Sequence, residues 1–299
     1  MKISVVIPAR NENDEIEQTC SSFLKENIHE IFIYDDGSDV PLPVFDSATN
    51  IRHNSPAGPS VCRNLGGKQA TGDVIVFSDA HVRVENLHKI CEFAVKNNAV
   101  AIPSMQSLNG SGKVTGYCRD FILKGKGNEL IGFNMNNTRP KAQQCYCYGN
   151  WGGFFVVPKA VFSAIDGWVN HQHWGYNDPS LILKCFFCNI DTVLDQNAMY
   201  KHKGKVKTGF GYPVRAIEPL LNIFHSYFVI FDADTFQDYW LPLLKKEHAW
   251  MYEKGMQFIS APEIIEEEKR FKLLKQRKDS DFFDDFIKQT KNRTEYIHA

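Results

Sequence analysis

The chain has 299 residues, which allows one large domain or two small ones. Its 34 Lys and Arg balance 35 Asp and Glu, a formal net charge of -1, so a dominant phosphate-tracking surface is not supported, while a local basic patch remains open. Hydrophobic residues at 43% and charged residues at 23% are ordinary globular usage, which excludes a disordered chain, and no apolar run approaches the roughly 20 residues that span a bilayer.

Residues 1–8 are apolar too briefly for a signal peptide and run straight into a strand pattern. The eight cysteines therefore read as the reduced thiols of a cytoplasmic protein. Two close pairs, Cys145/Cys147 and Cys185/Cys188, have the ligand type of a four-thiolate zinc site. The apolar run around Cys185 and Cys188 favours core packing instead.

In chain order, residues 3–7 predict a strand closed by Pro8. Ile16, Cys20, Phe23 and Leu24 recur at i, i+4, i+7 and i+8, which predicts a helix with these four inward. Residues 30–34 predict a second strand, stopped by Asp35-Asp36-Gly37-Ser38, and residues 50–52 a weak third. Pro59 suits the first turn of a helix ending near Gly72, with Val61, Cys62 and Leu65 inward. The continuous apolar run 74–77 suits a strand buried on both faces. Leu87, Ile90, Cys91 and Ala94 mark another helix, and residues 99–102 another strand.

This βαβ rhythm predicts an α/β fold, a Rossmann-like, mostly parallel sheet with helices on both faces. Ligands of such sheets lie beyond the carboxyl ends of the strands. Ala9-Arg10-Asn11-Glu12, Asp35-Asp36-Gly37-Ser38 and Ser78-Asp79-Ala80-His81 should therefore converge on one crevice. Residues 104–150, rich in Gly and Asn, read as loops and irregular hairpins. From residue 214 the pattern is helical, with Ile217, Leu220, Leu221 and Phe224, then Trp240, Leu243 and Leu244. Residues 245–299 carry 12 Lys and Arg and 11 Asp and Glu, the composition of a solvated helix or helical hairpin. The expected division is a unit 1–213 and a helical extension 214–299.

Several local patterns can carry chemistry. Asp79 and His81, two positions apart after a buried strand, share a face in extended chain and together offer oxygen and nitrogen to one divalent cation such as Mn²⁺. A turn Asp beside a surface His is the plainer reading. Asp36 follows a strand, where a carboxylate can accept hydrogen bonds from a base or ribose, yet turn chemistry alone explains Asp35-Asp36-Gly37-Ser38. Arg63 either points to solvent or reaches into the crevice as a phosphate or base partner. Gly152-Gly153, between aromatics, permits close approach of a ligand or marks a bulge. Asp178, just before Pro179, fits a helix N-cap and also a general base at a helix start. His202 lies in Tyr200-Lys201-His202-Lys203-Gly204-Lys205-Val206-Lys207, either a solvated loop or a diphosphate site in which lysines including Lys207 offset phosphate charge.

The order of these signals is more specific than any one of them. The run from Ile3 through Pro8, Ala9, Arg10 and Glu12, then Asp35-Asp36-Gly37-Ser38, Arg63 and the segment ending Ser78-Asp79-Ala80-His81 resembles the family 2-type nucleotide-sugar glycosyltransferases of GT-A fold. Within them it most resembles the catalytic domain of the polypeptide N-acetylgalactosaminyltransferase group, which has Asp-x-His in place of Asp-x-Asp. Gly152-Gly153, Trp174-Gly175-Tyr176-Asn177-Asp178, His202 and Gly209-Phe210-Gly211-Tyr212-Pro213 follow in that group's order, so the resemblance covers roughly residues 1–213.

The resemblance implies a UDP-sugar donor and a Mn²⁺ or Mg²⁺ cofactor held by Asp79, His81 and His202. It implies that Asp36 and Arg63 sit near the uracil, that Pro8, Ala9, Arg10 and Glu12 line the nucleotide side, and that Gly152, Gly153 and Trp174 shape the sugar pocket. Asn177 and Asp178 stand where the group has Glu-Asn, and where the common inverting relatives have Glu-Asp with Asp as base. Asp178 is therefore the expected base, with Asn177 beside it. The implied activity is metal-dependent transfer of a sugar from a UDP-sugar to a hydroxyl of a protein or peptide, a glycan or modified DNA. Two alternatives remain: a degenerate domain that binds nucleotide-sugar or a partner without turnover, and a sugar nucleotidyltransferase. The second lacks support because Pro8 to Asn13 is not a Gly-rich basic loop.

Overall fold

The computed structural model describes residues 1–109, 114–117, 119–123, 131–135, 139–147, 153–172, 174–204, 215 and 217–286. Its first four strands are β1 (Ile3–Ala9), β2 (Glu30–Asp35), β3 (Thr49–Arg52) and β4 (Val74–Ser78). Then come β5 (Val82–Glu85), β6 (Val100–Ser107), β7 (Val114–Gly116) and the hairpin β8 (Arg119–Leu123) with β9 (Ile131–Met135). The last are β10 (Gln144–Tyr146), β11 (Phe154–Pro158) and β12 (Thr192–His202). The helices α1 (Ile16–Leu24), α2 (Pro59–Gln69) and α3 (Leu87–Asn97) connect the early strands. They are followed by α4 (Lys159–Ala164), α5 (Asn177–Phe187) and α6 (Ile217–Ile230).

Ten strands form one sheet with the path β10-β12-β6-β11-β4-β1-β2-β3, to which β5 adds beside β12 and β7 beside β6. β1 pairs in parallel with both β2 and β4, β3 with β2, and β12 with β6. β11 is the antiparallel insertion between β4 and β6. The mostly parallel α/β sheet expected from the βαβ rhythm is thus present, and all five residues of β4 are buried.

The period of two along β1 assigns side chains to two cores. Ile3, Val5 and Ile7 join Ile16, Phe23, Leu87 and Ile90 on the face covered by α1 and α3. Val6 joins Phe77, Phe162 and Trp168 on the other face. That second cluster continues through Phe224, Trp240, Phe271 and Phe282.

Three expectations are corrected. Leu24 is 46% exposed, while Thr19 is buried because its hydroxyl donates to the Ala80 carbonyl at 2.7 Å. On α2, Cys62 is buried as expected, but Leu65 is exposed and the rest of the packed face is Ser60, Arg63, Gly66 and Gly67. The glycines decide this. A Cβ on Gly66 would lie 2.4 Å from Val6, and one on Gly67 2.4 Å from Phe162, so the helix seats on its glycines rather than its leucine. The mixed-charge stretch after 245 is not merely solvated, since Met251, Ile259, Ile264, Phe271, Phe282 and Phe286 are buried. Net composition hides such a stripe because charges on the outer face of the helices dilute it.

The described cysteines are core residues. Cys145, Cys147, Cys185 and Cys188 are all buried and free, and they do not assemble a metal-type cluster among the described residues. Burial pushes the Cys185 thiol up, and the Cys188 thiol up to about 11.

Candidate active site

The chain lays down β1, β2 and β3 in one direction, then crosses back to place β4 on the other side of β1. The carboxyl ends of β1 and β4 therefore flank a switch point, where a crevice opens. Asp79 and His81 follow β4 directly. β12 brings in His202, because its register sets His202 opposite Val82 and so beside His81. The Lys203 amide donates to the His81 carbonyl at 3.0 Å and locks the two segments together.

Asp79, His81 and His202 each offer a ligand atom, all within 4.8 Å of one another. His202 Nε2 lies 3.3 Å and His81 Nε2 3.9 Å from Asp79 Oδ2. Glu12 Oε1 stands 3.3 Å from the other His81 nitrogen, Nδ1. A carboxylate behind a ligating imidazole is the common arrangement that fixes ring orientation at a metal. Burial raises the Asp79 carboxyl, but the His202 hydrogen bond and the charges of His81, Arg63 and His202 outweigh it, so the group is held well below the usual carboxylate range. One carboxylate and two imidazoles fit Mn²⁺ and similar divalent ions.

Gly153 is part of this cluster's packing. Its carbonyl accepts the Asp79 amide at 2.9 Å, and a Cβ there would meet His202 Cδ2 at 2.8 Å and Asp79 Oδ2 at 3.3 Å. Gly152 and Lys207, the other expected ligand-side residues of these segments, lie outside the described residues, as does Gly209-Phe210-Gly211-Tyr212-Pro213.

Arg63 is 4% exposed and projects from α2 between two carboxylates. Its guanidinium lies 3.4 Å from Asp79 Oδ1 and 3.3 Å from Asp178 Oδ1, and stacks 5.5 Å from the Trp168 ring centre. Arg63 thus ties the metal-type cluster to Asp178. The helix starts at Asn177, so Asp178 lies in its first turn rather than capping it. Tyr176 takes the left-handed conformation, φ 58°, and turns the chain into the helix. Trp174, just before that turn, is 38% exposed.

Asn177 is buried, and its amide is engaged in the scaffold. Its Oδ1 accepts the Gly175 amide at 2.8 Å, while Nδ2 contacts Ser60 Oγ at 2.8 Å and His171 Nδ1 at 3.3 Å. This assigns the His171 tautomer: Nδ1 accepts, and Nε2–H donates to Ser226 Oγ at 2.8 Å. Burial and the neighbouring His225 and Lys184 push His171 well below its ordinary value, so it stays neutral. From α6, Asn222 donates to the Gly175 carbonyl at 2.7 Å, and the Tyr227 and Tyr176 hydroxyls meet at 3.2 Å. His225 Nε2 contacts Glu267 Oε2 at 3.0 Å, and Glu267 also accepts the Asn170 amide. Burial raises the Glu267 carboxyl, but that His225 contact more than reverses it. His171 and Asn222 were not among the expected site residues. The available signal was Asn222, His225 and Ser226 interrupting the apolar run of that helix after Glu218.

On the β1–β2 side the two aspartates differ. Asp35 accepts the Ser38 amide at 2.9 Å and pairs with Arg52, a turn-holding role. Asp36 is 6% exposed and accepts the Ala57 amide at 2.7 Å and the Gly58 amide at 2.9 Å, with His53 Nδ1 at 3.3 Å. The Ala9 carbonyl accepts the Asp36 amide at 2.8 Å, so Pro8, Ala9 and Arg10 lead from β1 into the same region. Asp36, His53 and Cys62 also lie within 4.8 Å of one another. Burial and the nearby Asp36 push the Cys62 thiol up, so it remains a protonated core thiol rather than a ligand.

Of the lysine cluster, Lys201 and Lys203 are described and both are engaged within the chain, while Lys205 and Lys207 lie outside the described residues. Lys201 precedes His202 on β12 and so points to the other face of the strand, pairing with Glu85, and Lys203, just past the strand, pairs with Glu15.

The sequence profile described as "Glycosyl transferase family 2" matches residues 4–162. None of the curated protein sequences matches the chain. Among solved structures, GalNAc-T7 with UDP, GalNAc and Mn²⁺ superposes with TM-score 0.76 at 17% identity, covering 97% of this chain and 58% of that one. S. aureus TarS 1-349 in complex with UDP-GlcNAc superposes with TM-score 0.52 at 16% identity, over 77% of this chain and 66% of that one. At such identities the likeness shows the GT-A fold, and the chain spans little more than half of the GalNAc-T7 structure. With the profile matching more than half of its length and the switch-point crevice where the fold requires it, the chain belongs to glycosyl transferase family 2.

Proposed function

We propose that this glycosyltransferase moves a sugar from a UDP-sugar to an acceptor hydroxyl, with Asp79, His81 and His202 holding a divalent cation, Mn²⁺ or Mg²⁺. The observation that carries the reading is the convergence of those three side chains within 4.8 Å at the end of β4, with Arg63 joining them to Asp178. GalNAc-T7 was solved with UDP and Mn²⁺, and TarS with UDP and with UDP-GlcNAc, which supports a UDP-linked donor. When bound, the cation would offset negative charge on the diphosphate leaving group.

The protein's own residues supply the rest. Asp178 takes the proton of the acceptor hydroxyl as its oxygen attacks the anomeric carbon. The bond from that carbon to the phosphate oxygen breaks, and UDP leaves with the electron pair. Arg63 holds the Asp178 carboxylate in place and keeps positive charge beside Asp79. Asn177 holds the turn rather than touching substrate. Trp174 offers an exposed ring at the sugar side, and Asp36 stands at the nucleotide side. Residues 1–213 form the catalytic unit, and the helices after 214 support its Trp174–Asp178 turn. Nucleic acid is the less favoured acceptor, because four cations of the basic stretch from Lys269 to Lys278 are paired within the chain. Lys269 pairs with Glu266, Arg270 with Asp166, Lys272 with Glu268 and Lys275 with Asp232.

The test is UDP release from a panel of UDP-sugars, with Mn²⁺ and with a chelator. Release from one sugar that stops on chelation is the expected result. If UDP does not bind with Mn²⁺ present, the metal and nucleotide assignments are wrong. UDP binding without release in the presence of acceptors of all three kinds would leave a binding domain without turnover. The anomeric configuration of the product tests the base: a single displacement promoted by Asp178 inverts it, and retention would remove that role.

A further inference from the structure

Three buried titratable side chains meet where α5, α6 and the helix Pro262–Leu274 pack together. Lys184 of α5 is 0% exposed, His225 of α6 2%, and Glu267 of the last helix 4%. His225 Nε2 stands 3.0 Å from Glu267 Oε2. Burial lowers the Lys184 ammonium, and the charges of Glu267 and Asp166 resist that. The transfer step uses none of these groups.

Their bonds end on one segment, which runs from the end of α4 into the first turn of α5, where Asp178 stands. Lys184 Nζ donates to the Asp166 carbonyl at 3.0 Å. The Asn170 amide donates to Glu267 Oε1 at 2.9 Å. The His225 ring lies edge-on to His171, centres 5.4 Å apart, and His171 accepts from the Asn177 amide. Glu267 is where these contacts divide. One of its oxygens holds the segment, and the other holds α6 through His225. A carboxylate only accepts, so His225 Nε2 carries the hydrogen. The other nitrogen, Nδ1, is buried without a hydrogen-bond partner and offers no second route.

Buried charge of this kind is a poor source of stability, because packed apolar residues of similar volume do as well or better. Directional bonds to particular backbone atoms supply what apolar packing does not, a unique position for the segment on which they end. We propose that Glu267 is a positioning residue for glycosyl transfer, setting from the last helix the segment that carries Asp178 to the crevice. This rests on Asp178 acting as the base. It places part of the catalytic geometry well beyond residues 4–162, the stretch that the family profile matches.

Glu267→Gln tests it, because the side chain keeps its shape but has one acceptor atom for two donors. Whichever way the amide sits, the Asn170 amide or His225 loses its partner. The expected result is a kcat lower by up to about 10²-fold, the cost of misplacing a group by about 1 Å, with UDP affinity in Mn²⁺ unchanged. In an Asp178→Asn background the same substitution should cost nothing further, whereas a merely structural role costs the same in both backgrounds. Amide exchange at residues 170–172 and 174–178 should rise by more than the loss of global stability accounts for. Lys269→Ala, at an exposed pair on the same helix, is the control and should leave kcat and exchange unchanged. Glu267→Asp covers the case in which the Gln variant does not fold. It keeps the charge and both acceptor oxygens one methylene short, and its loss of kcat should depend on Asp178 in the same way. The proposal is overturned if the folded variants keep full kcat, if their loss is as large in Asp178→Asn, if UDP affinity falls in step with kcat, or if exchange in the segment follows global stability alone. Should Asp178→Asn by itself leave transfer intact, the base reading fails, and exchange in the segment then decides whether Glu267 holds it.

Discussion

The two sides of the crevice are built differently. The strand side delivers its chemistry from residues that immediately follow strands: Glu12 after β1, Asp36 after β2, Asp79 and His81 after β4, with His202 ending β12. The helical side brings few charges of its own to the crevice. It holds one turn, Gly175 to Asp178, by buried neutral groups: Asn222 on the Gly175 carbonyl, neutral His171 on Asn177, and Tyr227 on Tyr176. The first side carries its carboxylates and imidazoles within a few residues of strand ends. The second sets where Asp178 points, and Arg63 is the bridge between them.

The largest expected effect separates the sides at Asp178. Asp178→Asn keeps the shape of the side chain and removes the base, so kcat should fall by about 10²–10⁴. UDP affinity with Mn²⁺ should stay within two-fold, because the strand side is untouched. Unchanged transfer would place the base elsewhere.

Gly153→Ala perturbs the strand side alone. The added methyl would meet the His202 ring at 2.8 Å and must push it away from Asp79. Metal affinity, read by titrating Mn²⁺ against UDP binding, should weaken about 10–100-fold, the range for displaced metal-supporting contacts. Full affinity in that variant would mean that His202 is not a ligand.

Asn222→Ala then perturbs the helical side. It leaves the Gly175 carbonyl without its donor, a loss of about 1–3 kcal/mol in stability. A positioning role predicts more than that: kcat falls, UDP affinity holds, and amide exchange over the 174–178 turn rises above the change expected from stability. If kcat is unchanged once the variant is folded, the turn does not depend on α6.

The same side carries a pH dependence. His171 has a depressed folded-state value, so below its ordinary value of about 6.5 the unfolded chain binds a proton that the folded chain refuses. Stability is therefore present at neutral pH and declines on acidification, by about 1.4 kcal/mol per pH unit from this group. Glu267 acts in the same direction at lower pH, since its carboxyl is also depressed and its stabilisation is lost as it protonates. His171→Asn keeps an acceptor for Asn177 but cannot titrate, and should flatten the melting temperature between pH 7 and 5 relative to the parent. An identical slope would mean that His171 is protonated in the fold.

The asymmetry between the sides also explains what was legible in the sequence. The Asp79-Ala80-His81 motif and the strand before it could be read together, because the side chains adjoin the element that places them. His202 is 121 residues after His81, and only its order in a family pattern pointed to it. Asn177 looked catalytic by position because its engagement depends on Ser60 and His171, which no local spacing reveals. Leu65 and Leu24 were read as core from periodicity, yet Gly66 and Gly67 and the Thr19 hydroxyl decide those packing faces. The basic run around His202 read as one cluster, though strand alternation sends Lys201 away from the imidazole and Lys203 pairs with Glu15 just past the strand.

That last point gives the smallest expected effect. Lys201 pairs with Glu85, and both side chains are partly to largely exposed. Exposed pairs contribute about 0.2–1 kcal/mol, so Lys201→Ala should lower stability by no more than that. It should leave UDP affinity unchanged, because its ammonium is on the far face of the strand from His202. A ten-fold loss of UDP affinity would instead return Lys201 to the diphosphate, and would require β12 to rotate its side chains when donor binds. The ladder from His202–Val82 to Met199–Glu85 opposes such a rotation, since a one-residue slip would move His202 off the crevice together with the lysines.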